Sequence, residues 1–246
     1  MDKVAIVTGS GRGIGAAIAR RAAAEGYAVA VNYRDDAQAA EALVAAIRGD
    51  GGRAAAIQAD VALEADVARL FARTEAELGA PSALVNNAGI TGRIAPFMDT
   101  AAGTIEAVFR TNVFGTMHCC RAAIAAFRRS GTRGTIVNLS SLAAITGSPR
   151  EYVHYAASKA AVETFTLGLA RETAPEGIRV CAVAPGSTLT GIHAAAGEPG
   201  RPERVAPVIP MGRLATPEEI AEPVVWLLSP AASYVTGTTL RCAGGM

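Results

Sequence analysis

The chain has 246 residues, half of them hydrophobic, with 23 basic and 22 acidic side chains and a formal net charge of +1. That length holds one large α/β domain or two small ones, and the apolar share supplies a sizeable core. The near-balance of interspersed charges excludes a nucleic-acid or membrane surface as the chain's main business, and no apolar run is long enough to span a bilayer.

The four cysteines, Cys119, Cys120, Cys181 and Cys242, form no C-x-x-C pattern. His118, His154 and His193 show no metal-ligand spacing either, so no metal site is expected. Free thiols and the absence of a signal-peptide pattern from Asp2 onward are the marks of a cytoplasmic protein. Lys3 and Lys159 are the only lysines.

Val4 to Val7 is a short apolar, β-branched run, as a strand buried on both faces requires. Thr8-Gly9-Ser10-Gly11-Arg12-Gly13-Ile14-Gly15 follows at once, and Ala16 to Glu25 reads as helix. A glycine-rich turn between strand and helix lets backbone approach a ligand closely, and the helix N-terminus offers unpaired N–H groups to a pyrophosphate. Gly9, Ser10, Arg12, Gly13, Ile14 and Gly15 are therefore expected cofactor contacts. Ala28 to Tyr33 is the second strand, followed by Arg34-Asp35-Asp36. In a dinucleotide fold this strand end reads the adenosine ribose. Arg12 and Arg34, beside Tyr33, suit a 2′-phosphate and favour NADP(H). Asp35 and Asp36 favour NAD(H), which stays possible, unless they cap the next helix.

Ala37 to Arg48 is an alanine-rich helix, Ala54 to Gln58 a strand, Glu64 to Leu78 a helix and Ala83 to Val85 a strand. Thr91 to Gly103 reads as loop and about Thr104 to Arg129 as one long helix. Thr135 to Leu139 is the fifth strand, ending in Ser140-Ser141, and Ile178 to Ala184 the sixth, ending in Pro185-Gly186. Residues 187–210 lack periodicity and read as a long loop, a candidate lid. Pro217 to Leu228 is a helix with Thr216 as N-cap, and Thr238 to Arg241 a last strand. This alternation predicts an α/β fold: a doubly wound, Rossmann-type parallel sheet with helices on both faces. No boundary or repeat interrupts it, so residues 1–246 are read as a single NAD(P)-binding domain with its lid at about 187–210.

Between Ser141 and the sixth strand lies Tyr155-Ala156-Ala157-Ser158-Lys159. Tyrosine and lysine four apart share one helix face. An ordinary phenol has a pKa of about 10, and a nearby cation lowers it, which makes the pair a candidate general acid/base. Tyr152 has only Ala156 at the equivalent offset.

These pieces together resemble the short-chain dehydrogenase/reductase family over essentially the whole chain. Thr8 to Gly15 matches its T-G-x-x-x-G-x-G turn, Asn86-Asn87-Ala88-Gly89 its N-N-A-G segment, and Pro185-Gly186 with Thr190 its P-G-x-x-x-T segment. Asn112, Ser141, Tyr155 and Lys159 match the four catalytic positions. The resemblance implies hydride transfer between a nicotinamide and a carbonyl or secondary alcohol of a small molecule. Tyr155 would exchange the proton, Lys159 lower the Tyr155 pKa and hold the nicotinamide ribose, Ser141 bond the substrate oxygen, and Asn112 hold a relay water. Asp60 and Val61 would meet the adenine, Asn87, Ala88 and Gly89 the adenosine and ribose, and Pro185, Gly186, Thr188 and Thr190 the carboxamide side. A homo-oligomer, tetramer or dimer, is implied as well.

The spacing departs from the family's usual one: Ser141 to Tyr155 is one residue longer, with the extra residue placed in Gly147-Ser148-Pro149-Arg150-Glu151. Ser140 is the competing serine. Within the family, 3-oxoacyl-[acyl-carrier-protein] reductase and sugar 1-dehydrogenase are alternative roles. A non-catalytic NADP-binding sensor is the alternative outside catalysis.

Overall fold

The structure is a computed structural model that describes residues 3–246; Met1 and Asp2, on which part of the N-terminal reading rests, lie outside the described residues. Seven strands form one sheet: β1 (Val4–Val7), β2 (Ala28–Tyr33), β3 (Ala54–Gln58), β4 (Ala83–Asn86), β5 (Thr135–Leu139), β6 (Arg179–Pro185) and β7 (Thr239–Cys242). Their order is β3-β2-β1-β4-β5-β6-β7 and every pairing is parallel. The chain moves outward from β1 to β3, then returns to place β4 on the other side of β1. That reversal opens a crevice beyond the carboxyl ends of β1 and β4, where ligands of open α/β sheets sit.

The helices are α1 (Gly13–Ala24), α2 (Ala37–Gly49), α3 (Glu64–Leu78), α4 (Ala102–Phe109), α5 (Gly115–Ser130), α6 (Ala143–Thr146), α7 (Val153–Thr173), α8 (Ile192–Ala195), α9 (Arg201–Val205) and α10 (Pro217–Leu228). The central strands are apolar on both faces because both faces are covered. Alternate residues of β1 divide the core: Ala5 and Val7 pack with α1, α2 and α10, while Val4 and Ile6 pack with α3 and α5. All four are fully buried. Burying a side chain the size of Val or Ile contributes about 1.5–3 kcal/mol.

Beyond one-residue shifts at the ends of α2, β4, β6 and β7, four features differ from the sequence reading, each for a local reason. α1 begins three residues early, at Gly13, because the glycine turn itself supplies the first helical residues. The single helix expected from about Thr104 to Arg129 is α4 and α5 joined by a π-turn, Arg110–Phe114. The expected loop from Thr91 holds a short 3₁₀ turn, Phe97–Asp99, and α4 already begins at Ala102. Residues 187–210 are not a featureless loop; they contain α8, α9 and a 3₁₀ turn, Ala206–Val208. α10 starts as expected, with a capping box between Thr216 and Glu219 and Pro217 in first place. Among the described residues no helix is long and apolar enough to cross a membrane.

Candidate active site

The glycine turn closes tightly on the end of β4. Gly9 has φ +60°, and a Cβ there would stand 2.9 Å from Ala88 Cα. A Cβ on Gly15 would lie 2.6 Å from the Gly9 carbonyl oxygen and run into Asn87 Nδ2. Asn87 Nδ2 donates to the carbonyls of Thr8 and Gly9, both at 2.9 Å, and the Thr8 hydroxyl accepts from the N–H groups of Asn87 and Ala88, both at 3.0 Å. Arg12 stands at the N-cap of α1 in extended conformation and caps nothing. The first N–H groups of α1 therefore keep their donor capacity toward the crevice, which is what a pyrophosphate needs. These features fit a dinucleotide.

A groove of about 600 Å³ runs from this turn along the strand ends. Its wall takes in Gly9, Arg12, Gly13, Ile14, Gly15, Tyr33, Arg34, Asp60, Val61, Asn87, Ala88, Gly89 and Thr190. Ser10 is the exception among the expected contacts. It is fully buried, and its hydroxyl donates to the Val7 carbonyl at 2.7 Å, so it supports the turn without reaching the groove. Asp36 caps α2 by accepting from Ala39 N at 3.0 Å. Arg34 Nε donates to Asp35 at 2.7 Å. Asp60 Oδ1 accepts from Ala62 N at 2.9 Å.

A second cavity of about 400 Å³ continues the groove past Ile14, Gly89 and Thr190. Ser141, Tyr155 and Lys159 line it, together with Pro185, Gly186 and Thr188. β5 delivers Ser140 and Ser141, and they part ways. Ser140 is buried, and its hydroxyl donates to Glu163 Oε1 at 2.8 Å. The Ser141 hydroxyl accepts from Ala143 N at 3.1 Å and hydrogen-bonds the Tyr155 phenol.

Lys159 is buried, with Nζ donating to the Leu139 carbonyl at 2.6 Å and lying 5.7 Å from the Tyr155 ring centroid. Burial draws its ammonium down to about 8. Burial also pushes the Tyr155 phenol up to about 12, against the Ser141 hydrogen bond that pulls it down. In the protein alone, loss of water outweighs the Ser141 bond and the Arg201 charge, and the phenol lies above its ordinary value.

Asn112 sits in the π-turn, fully buried and outside both cavities. Its Oδ1 accepts from Ile90 N at 2.9 Å, and its Nδ2 donates to Ile90 O at 2.9 Å and Ser158 Oγ at 3.0 Å. One amide thus ties the loop after β4 to α7 next to Lys159. A π-turn adds a residue to the helix and re-aims its side chains, and such turns are frequent at functional sites.

One contributor escaped the sequence reading. Asn32, a lone polar residue inside apolar β2, accepts from Gly9 N at 3.1 Å and donates to Ile57 O at 3.2 Å and Ala59 O at 3.1 Å. A polar residue interrupting an apolar strand was the available signal. Tyr152 lines the cavity and meets the Tyr155 ring edge-on at 5.3 Å. His193 lines it too, with Nε2 donating to the Thr188 carbonyl at 2.9 Å. His154 points away, its Nε2 donating to Thr91 O at 2.9 Å. The lengthened loop ends in two non-glycine residues with left-handed backbones, Ser148 at φ 42° and Arg150 at φ 65°. From it, Glu151 reaches across the cavity to α9, accepting from Arg201 and Arg204 at 2.7 Å each. Among the described residues no group of side chains could hold a metal ion.

A parallel sheet with a glycine turn at its reversal point and a Ser-Tyr-Lys cavity opening off the groove defines a nicotinamide-dependent oxidoreductase. The family model described as enoyl-(acyl carrier protein) reductase matches residues 9–246. An uncharacterized oxidoreductase, YgfF, of Escherichia coli is 47% identical over 98% of this chain and 99% of its own length. 3beta-hydroxysteroid dehydrogenase 1 of Eggerthella lenta is 43% identical over 99% of this chain and 93% of its own. The 3-oxoacyl-[acyl-carrier-protein] reductase FabG of Staphylococcus aureus is 39% identical over 100% and 98%. A crystal structure of a dehydrogenase/reductase from Sinorhizobium meliloti superposes with a TM-score of 0.92 at 38% identity, over 99% of this chain and 94% of that one. The chain belongs to the short-chain dehydrogenase/reductase family and is an NAD(P)-dependent oxidoreductase.

Proposed function

We propose that the protein is an NADP(H)-preferring oxidoreductase that interconverts a carbonyl and a secondary alcohol, with Tyr155 as general acid/base. The observation that carries this reading is the convergence of Ser141, Tyr155 and Lys159 on one cavity that opens from the glycine-lined groove. Bound there, the nicotinamide supplies or takes up the hydride. In reduction, Tyr155 gives its phenolic proton to the carbonyl oxygen. Ser141 donates to the same oxygen as negative charge grows on it, which lowers the barrier. Lys159 holds the ribose hydroxyls, and its buried cation favours the phenolate once the proton has left. Asn112 fixes the Ile90 backbone and the Ser158 hydroxyl, and so the place of a relay water beside Lys159. Asp60, Val61 and Asn87 to Gly89 hold the adenosine half, and Pro185, Gly186, Thr188 and Thr190 the carboxamide side.

Asp36 is occupied in capping α2, which leaves Arg12 and the outer nitrogens of Arg34 for a 2′-phosphate. That supports NADP(H). The FabG likeness over the full chain supports a 3-oxoacyl thioester as one substrate class. The chain, residues 1–246, acts as one domain with a lid at about 187–210, in a cytoplasmic homo-oligomer.

A ketone and aldehyde panel with both cofactors tests the function. Carbonyls are reduced faster with NADPH than with NADH, and Tyr155→Phe loses about 10²–10⁴-fold in kcat. A Phe variant that keeps most of the activity overturns the assignment of Tyr155. Arg34→Ala raises the KM for NADPH well above its effect on NADH; equal effects on both overturn the cofactor preference.

A further inference from the structure

α9 carries Arg201 into the wall of the reaction cavity, where the residue is only 8% exposed. A guanidinium has five N–H donors and no acceptor. Arg201 Nη2 donates to Glu151 Oε2 at 2.7 Å, and Nη1 reaches Ser187 Oγ at a long 3.4 Å. Nε is buried and has no partner among the described residues. Donors buried without acceptors are costly to a fold, and most of this guanidinium's capacity is unused. Its Cζ lies 5.6 Å from the Tyr152 ring centroid, and the Tyr152 ring abuts that of Tyr155. The free donors thus stand one ring's breadth from the reacting phenol.

The charges around Arg201 are already matched. Glu151 also accepts from Arg204, and Arg204 in turn donates to Glu198 at 2.6 and 2.8 Å. Two cations meet two anions, so the cluster offers hydrogen bonds with no surplus of positive charge. Burial pushes the Glu151 carboxyl up, but the bonds from Arg201 and Arg204 outweigh it and hold it below the usual carboxylate range. The remaining wall is mostly apolar, with Leu142, Ile192, Val205 and Ile209.

We infer that Arg201 determines substrate specificity by donating to a second, uncharged oxygen acceptor on the substrate, a carbonyl or ester oxygen a few bonds from the reacting carbonyl of an otherwise apolar molecule. Glu151 is the positioning residue that holds the guanidinium in place. This rests on the carbonyl chemistry proposed for Tyr155, so the test separates the two.

The probes are ethyl 3-oxobutanoate, which has the second acceptor, and 2-octanone, which lacks it. Their kcat/KM ratio is measured with NADPH for the wild type, Arg201→Gln and Arg201→Lys; lysine keeps a cation for Glu151 but loses the planar fork. In parallel, both probes are titrated calorimetrically into the NADPH-loaded Tyr155→Phe protein, with and without Arg201→Gln. The keto ester is favoured in the wild type, and both Arg201 variants reduce the ratio by about tenfold or more, as loss of a hydrogen bond to a charged donor does. A binding ratio that falls likewise, while the wild type turns over neither probe, upholds Arg201 and overturns the proposed reaction. A ratio within twofold of the wild type in both variants overturns the inference, whatever happens to the absolute rates. It would make Arg201 a structural strut.

Discussion

Lys159 places an ammonium where water barely reaches, and the cost is visible in its pKa of about 8, against 10.5 for the free side chain. Between those values the unfolded chain binds a proton that the folded protein has released. The folded state is therefore penalised below about pH 8, and stability rises as pH climbs toward 10.5. Relative to Lys159→Met, the wild-type unfolding free energy should rise by on the order of 2–3 kcal/mol from pH 7.5 to 10. Denaturant titrations at those two pH values check this, and a pH-independent difference refutes it. Tyr155 acts in the opposite sense. Its folded pKa, about 12, lies above the free value of 10.0, so its contribution is lost only as pH rises from 10 toward 12. In the proposed reaction, a phenol raised in this way enters carbonyl reduction already protonated. Alcohol oxidation needs the phenolate, so its kcat/KM should climb with pH up to at least 10 while reduction does not. A rate of oxidation flat from pH 7 to 10 contradicts this.

The π-turn is the element on which the site's geometry hangs. Asn112 satisfies both backbone groups of Ile90 and reaches Ser158 from inside it. Asn112→Ala strands the part-buried N–H and carbonyl of Ile90, each costing up to about 1–3 kcal/mol. The expected loss of stability is roughly 2–5 kcal/mol, larger than for Asn112→Asp, which keeps the acceptor for Ile90 N. Urea midpoints of the two variants decide the order.

Elements of this kind mark where sequence reasoning stops. The strands were legible because β1 to β6 are short apolar or β-branched runs that need cover on both faces. The glycine turn was legible because its glycines sit between strand and helix. The π-turn was not, since one extra residue in a helical turn leaves the apolar periodicity almost unchanged. Nor were α8 and α9, which lie in a segment, residues 187–210, rich in Gly, Pro and Ala and are held by contacts across the cavity rather than by local preference. The choice of Ser141 over Ser140 rested on the family's pattern; the side-chain partners of each, Tyr155 and Glu163, are tertiary.

At the scale of the whole molecule, apolar side chains remain uncovered on the long helices. Phe114, where the π-turn enters α5, is 52% exposed, and Leu167 on α7 is 39% exposed. A second copy of the chain would cover such a face, in keeping with the homo-oligomer proposed above. Light scattering at micromolar concentration should return a mass of two or four chains, and Phe114→Lys should lower it. A monomer in the wild type refutes this. The surface ion pairs, such as Arg128 with Glu176 and Arg213 with Glu219, are exposed and contribute little each. Stability rests instead on the two apolar layers against the sheet.

The left-handed backbones of Ser148 and Arg150 bear on how such an enzyme diversifies. They turn the chain in the loop before α7, off the sheet and beside the cavity that Ser141 and Tyr155 line. Length in this loop is thus uncoupled from the register of the sheet. New substrate ranges can be explored by insertion and deletion here, through Glu151 and what it holds, with the proton-transfer groups left untouched.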